Sequence, residues 1–182
     1  MNSPPNNISI RFRNDRDLSA CASLLVEVHA IDGYPVEGVA EPRAWLTPTT
    51  EIQSWIAEWQ SRIVGHVMLM HPAGEASVKM WCKRTQQEQN QTLTKTPVAV
   101  GARLFVAPTL RHRGIGKQLI LAAIDYAAQN EFVLVLDVLT KDKSAIRLYE
   151  QLGCLYLGDT WHIVGEALFP ARCYALPPNK GH

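Results

Sequence analysis

Residues 103–118 read RLFVAPTLRHRGIGKQ, an apolar strand end that runs through a basic, glycine-spaced turn into the start of a helix. Between Arg111 and Lys117 the order is Arg-x-x-Gly-x-Gly-Lys. The two glycines free the backbone to aim its amides at an anion, and Arg111, Arg113 and Lys117 supply positive charge. The helix beginning there adds the positive end of its dipole, so the turn predicts a phosphate site. It is not a Walker A loop, which needs four residues between its glycines and Ser or Thr after the Lys; here one residue separates Gly114 from Gly116, and Gln118 follows Lys117. Nor is it a dinucleotide fingerprint, because Leu119 stands where the third glycine is required.

Outward from the turn, residues 98–107 are apolar and rich in β-branched and aromatic residues, and Pro108 stops them, as expected of a strand. From Ile115 the apolar positions Ile115, Leu119, Ala122, Ala123 and Tyr126 line one face of a helix. The run FVLVL at 132–136 suits a parallel strand covered on both faces. A further helix, from about Ser144 to Leu152, places Ala145, Leu148, Tyr149 and Leu152 on one side, with Gly153 as its cap.

Two motifs in this order, Arg-x-x-Gly-x-Gly after Leu104-Phe105-Val106-Ala107-Pro108 and AIRLYEQLGC from Ala145 to Cys154, resemble those of the GNAT superfamily of acetyl-CoA-dependent N-acetyltransferases. The resemblance covers residues 8–176 in order of elements, and its specific letters lie between Val98 and Gly153. It implies an α/β fold whose mixed sheet has six to seven strands, a central splayed parallel pair and flanking helices. It also implies acetyl transfer from acetyl-CoA, as co-substrate, to a primary amine of a small molecule or peptide by direct attack in a ternary complex. By this resemblance the backbone of Leu104, Phe105 and Val106 pairs with the pantetheine arm, and Arg111, His112, Arg113, Gly114, Ile115, Gly116 and Lys117 hold the pyrophosphate. Backbone donation from the splayed strand would form an oxyanion hole, in which one donor is worth roughly 3 kcal/mol.

Tyr149 matches the family's usual acid, and a phenol of reference pKa about 10 is protonated at neutral pH and able to donate to a departing thiolate. Asp142 occupies a cofactor-contacting position that is commonly Asn; an ionised carboxylate only accepts hydrogen bonds, and Lys141 and Lys143 are at hand to offset its charge. No carboxylate or His lies on the strand from Val98 to Ala107, so the general base stays unassigned; Glu27, Glu51, Glu58 and His66 read better as surface or structural residues. The loop after the first helix carries Asp32, Glu37 and Glu41 against Arg43, a local charge of −2, with Tyr34 and Trp45 beside them. Family members line the acceptor site with this region, so Tyr34 and Glu37 are the expected substrate contacts, or else ordinary loop packing. The alternative to catalysis is a silent acyl-CoA-binding sensor or regulatory module.

The chain has 182 residues, 47% apolar, which suffices for one domain over 1–182 with a full core, ordered over about 8–176 and ending in a disordered tail at 177–182. A net charge of +1 argues against nucleic acid, although Gln89–Ile124 holds five basic residues and no acidic one. The polar start MNSPPNNISIRF and the lack of a long apolar run point to a soluble, cytoplasmic protein without membrane partners. A homodimer stays open. Four cysteines without CxxC spacing read as reduced structural thiols, and no metal site is expected. The N-terminal half predicts a strand at 8–12, a helix from Asp15–Leu18, a loop over 30–45, and a hairpin of 52–59 and 63–70 about Gln60, Ser61 and Arg62. Residues 71–97 read as a mobile connection holding at most a short turn at Val78, Trp81 and Cys82, and Cys154–Leu176 as two strands.

Overall fold

The structure, a computed structural model, describes residues 8–178. The ends MNSPPNN and NKGH, and with them most of the expected tail, lie outside the described residues. The strands are β1 (Ile8–Phe12), β2 (Glu51–Trp59), β3 (Arg62–Met70), β4 (Val98–Val106), β5 (Val133–Leu139), β6 (Leu155–Val164) and β7 (Ala167–Leu176). The helices are α1 (Leu18–Asp32), α2 (Pro42–Leu46), α3 (Ala76–Gln87), α4 (Gln91–Lys95), α5 (Ile115–Gln129) and α6 (Lys143–Gln151). The fold is mixed α/β, with one seven-stranded sheet in the order β1-β2-β3-β4-β5-β7-β6. Its parallel pair is β4 with β5, in register from Val98↔Val133 to Gly101↔Leu136. The remaining strands of known register, β1 on β2 and β7 on both β5 and β6, are antiparallel.

Two compact units make up the chain. The first comprises the described residues up to Met68 together with Arg103–Ala123, and the second comprises Leu69–Ala102 and the described residues from Ile124. In the first, Cys21, Leu24, Leu25 and Val28 of α1, Trp55 and Ile56 of β2, Val67 and Met68 of β3, and Ile115, Leu119 and Ile120 of α5 are buried. Gly65 is required there: a Cβ would stand 2.8 Å from Leu119 Cδ1 and 3.2 Å from the Phe105 carbonyl. In the second unit the apolar run Val133–Leu136 is buried throughout, as its unbroken hydrophobicity predicts.

Five sequence expectations are corrected. Residues 71–97 are not a mobile connection but carry α3 and α4, because Ser77, Trp81 and Thr85 recur every four residues as a buried stripe. Asp137 of β5 also accepts the Ser77 amide at 3.0 Å, supplying the N-terminal partner that the helix's own sequence lacks. The loop at 30–45 ends in α2, which starts with Pro42 at its first turn. The hairpin turn is the two residues Gln60 and Ser61, both left-handed, and Arg62 already belongs to β3. The buried face of α6 is Ile146 and Tyr149, with Ala145, Leu148 and Leu152 only half-buried. On α5 it is Ile120 and Ala127, rather than Ala122 and Tyr126, that join Ile115, Leu119 and Ala123.

Candidate functional site

In the first unit, the basic turn is left-handed at His112 (φ 62°) and at Gly114 (φ 78°). Gly114 therefore serves backbone geometry, whereas Gly116 has ordinary dihedrals and a Cβ there would meet only Val106 Cγ2 at 3.7 Å. The Gln118 amide donates to the Gly114 carbonyl at 3.0 Å and closes the first turn of α5, which leaves the amides of Ile115, Gly116 and Lys117 without intrahelical acceptors. Arg113, Gly114 and Lys117 are exposed. Arg111 is tied down instead, its Nη2 donating to Asp32 Oδ2 at 2.6 Å and its Nε to the Val106 carbonyl at 3.3 Å. It fastens the turn to the end of α1, while Arg113 and Lys117 remain exposed. These features fit a pyrophosphate: a helix start, two exposed cations and a glycine that only a left-handed backbone explains.

The strand leading to the turn carries Leu104 and Val106 half-buried and Phe105 buried. Arg103 before them has φ 57°, a left-handed residue inside a β-strand, which costs about 1 kcal/mol or more. His66 holds it there. This side chain is fully buried, stacks on Phe105 with 5.2 Å between ring centroids, and its Nδ1 donates to the Arg103 carbonyl at 3.0 Å. That assignment turns the Nε2 lone pair toward Arg13 Nη1, 3.5 Å away. Burial pushes the imidazole pKa down to about 3, so His66 is neutral and a structural donor rather than a base. Arg13 in turn grips Glu51 with two hydrogen bonds of 2.9 and 2.7 Å and donates to the Leu46 carbonyl. Ser54 donates to the same carboxylate at 2.6 Å. Glu58 is bonded to Arg11 at 3.0 Å, and Glu27 is exposed on α1. None of the four base candidates departs from the structural reading.

The expected acceptor residues lie in this same unit. The Tyr34 ring meets Trp45 edge-on at 5.9 Å, and both rings lie 6.5 Å from Phe105. The Arg103 guanidinium lies over Trp45, 4.7 Å from the ring centroid, and burial pulls its pKa down against the fields of Tyr34, Glu51 and Glu37. Sequence reasoning missed Arg103, Trp45 and His66 as one cluster, because a left-handed residue in a strand has no signature in an Arg. His66 gave the only clue, a lone histidine in an otherwise apolar strand.

In the second unit Tyr149 is buried on α6, its ring 6.2 Å from Tyr174. Burial first, then Cys154 and Asp142, push the phenol pKa well above its ordinary range, so it stays protonated at every working pH. Asp142 stands before α6 without a side-chain cap and pairs with Lys141 at 3.1 Å, the charge compensation expected for it. The helix ends as predicted, with Gly153 left-handed and its amide bonded to the Glu150 carbonyl. All four cysteines are free thiols, three of them buried. Among the described residues no group of three or more His, Cys, Asp or Glu is arranged to hold a metal.

The family model of the acetyltransferase (GNAT) family matches residues 19–154. No curated protein matches the chain by sequence. Among solved structures, Arabidopsis thaliana NAA60 in complex with a bisubstrate analogue superposes with a TM-score of 0.72 at 21% identity, covering 96% of this chain and 100% of that one. An N-acetyltransferase from Staphylococcus aureus Mu50 gives 0.70 at 16% identity over 95% and 99% of the two chains. The putative acetyltransferase yncA from Salmonella typhimurium, solved with its cofactor acetyl-CoA, gives 0.68 at 14% over 97% and 96%. The chain belongs to the acetyltransferase (GNAT) family. It is accordingly an acyltransferase, built on a fold those structures share.

Proposed function

We propose that the protein is an N-acetyltransferase acting on a primary amine of a small molecule or peptide in a ternary complex, residues 1–182 being a single acetyltransferase domain in the cytoplasm. Acetyl-CoA is the co-substrate and supplies an activated thioester. The observation that carries this reading is the turn His112–Lys117, left-handed at Gly114 and opening α5 with exposed Arg113 and Lys117. These residues take the pyrophosphate, Leu104–Val106 offer their backbone to the pantetheine arm, and Asp142 contacts the cofactor with its charge tempered by Lys141. A nearby fold solved with acetyl-CoA supports the assignment.

In the reaction the acceptor's neutral amine nitrogen forms the new C–N bond while the C–S bond breaks, its electron pair leaving on sulfur. Tyr149 gives its phenolic proton to that sulfur, and water carries off the proton shed by nitrogen and restores the phenol. Tyr149 carries the proton to be given, as a phenol of reference pKa about 10 does at neutral pH. Tyr34 and Glu37 belong to the acceptor side. Tyr149→Phe is expected to lower kcat by 10²-fold or more, in the range of general-acid contributions, with Kd for acetyl-CoA changed less than about 3-fold. Unchanged kcat would remove the acid role, and intact cofactor binding with no transfer to any amine would favour the silent-sensor alternative.

A further inference from the structure

Arg103 is held by no carboxylate at ion-pair distance among the described residues, although the fields of Tyr34, Glu51 and Glu37 reach its guanidinium. Arg13 is satisfied by Glu51, and Arg111 by Asp32. The half-buried Arg103 guanidinium makes no ion pair among the described residues; its contacts are the Trp45 face at 4.7 Å and Met68 Sδ at 3.5 Å from Nη1. Withdrawing a guanidinium from water without a carboxylate is costly, and its backbone is also held left-handed by the His66 hydrogen bond. Two separate costs are thus borne to keep this group in place, directly before the strand residues proposed to receive the pantetheine arm.

We infer that Arg103 is a specificity residue of the acceptor site, selecting primary amines that also carry a carboxylate, as amino acids do. The inference rests on the acetyl-transfer reading above. With its face on Trp45 and one nitrogen against Met68, the guanidinium keeps an edge for a planar, two-oxygen anion. A phosphate dianion would call for a second cation, and the neighbouring Arg13 is engaged by Glu51. Tyr34, Trp45 and Phe105 supply an apolar wall for the acceptor's carbon frame.

The test is coenzyme A thiol release by the full chain with matched acceptors, free amino acids against their carboxamides, which lose the anionic charge and carry a less basic amine, so that kcat/KM is compared per neutral amine. The free acids are expected to be preferred by roughly 30-fold in kcat/KM, chiefly through KM, as for one charge-assisted bidentate contact. In Arg103→Gln that ratio should fall to within about 3-fold, and in Arg103→Lys it should be intermediate, since an ammonium keeps the charge and loses the fork. Melting curves of both variants separate a lost contact from a lost fold, and Arg103→Lys keeps the test readable if Arg103→Gln unfolds. Carboxamides used as well as acids, no turnover of any acid, or a ratio untouched by Arg103→Gln would overturn the inference while leaving acetyl-CoA binding intact. Failure of acetyl-CoA to bind would instead overturn the functional reading, and this one with it.

Discussion

Two glycines in one turn do different things, and single methyl groups separate them. At Gly114 the left-handed backbone penalises any side chain, so Gly114→Ala is expected to cost about 1 kcal/mol of stability and to weaken acetyl-CoA binding by distorting the turn. At Gly116 the backbone is ordinary and the added methyl would lie 3.7 Å from Val106, so Gly116→Ala should stay within about 0.5 kcal/mol of the parent. Urea titrations of the two variants check the contrast, and equal losses would mean that the φ assignment is wrong. His66 is the other residue whose environment sets a measurable sign. Its folded pKa, about 3, lies below the unfolded value near 6.5, so the stability it supports is complete above pH 6.5 and is lost as pH falls toward 3. Between pH 7 and pH 5 that amounts to about 2 kcal/mol. Urea midpoints at the two pH values measure it, and His66→Gln should flatten the slope. Asp17, held below its usual range by the Arg11 hydrogen bond, adds its own loss only below about pH 4.

At the scale of elements, the hairpin β2–β3 is joined by Gln60 and Ser61 at φ 49° and 58°, a pair of left-handed residues that favours Asn-Gly. Replacing both is expected to raise stability by about 1 kcal/mol without touching the proposed site; a fall in the urea midpoint would contradict the turn geometry. The same scale explains what was and was not legible in the sequence. Strands β4 and β5 and helix α5 were legible because each carries its own period and its own stop: Pro108, Gly114, and the apolar run Val133–Leu136. Helix α3 was not, since its buried stripe consists of Ser77, Trp81 and Thr85, two of them polar, and its N-terminal partner Asp137 comes from a strand 60 residues away. Thr85 is buried because its hydroxyl bonds back to the Trp81 and Cys82 carbonyls, a local solution invisible to a hydrophobic pattern.

At the scale of the whole molecule, letters and fold carry different amounts of the account. The motif residues from Val98 to Gly153 pointed to the family, and the family model matches residues 19–154, while the solved structures share the fold at 14–21% identity. What could not be read from the letters is the cluster around Arg103, because it depends on tertiary placement: Arg103 over Trp45, and His66 bonded to the Arg103 carbonyl. Among the described residues no helix is long and apolar enough to cross a membrane. The central claim is that the turn after β4 binds a coenzyme A pyrophosphate, and the most direct test is calorimetric titration of the chain with acetyl-CoA, free coenzyme A and ATP. The account predicts saturable binding of the first two and weak or absent binding of ATP. No binding of either coenzyme A species, or equal binding of ATP, would contradict it.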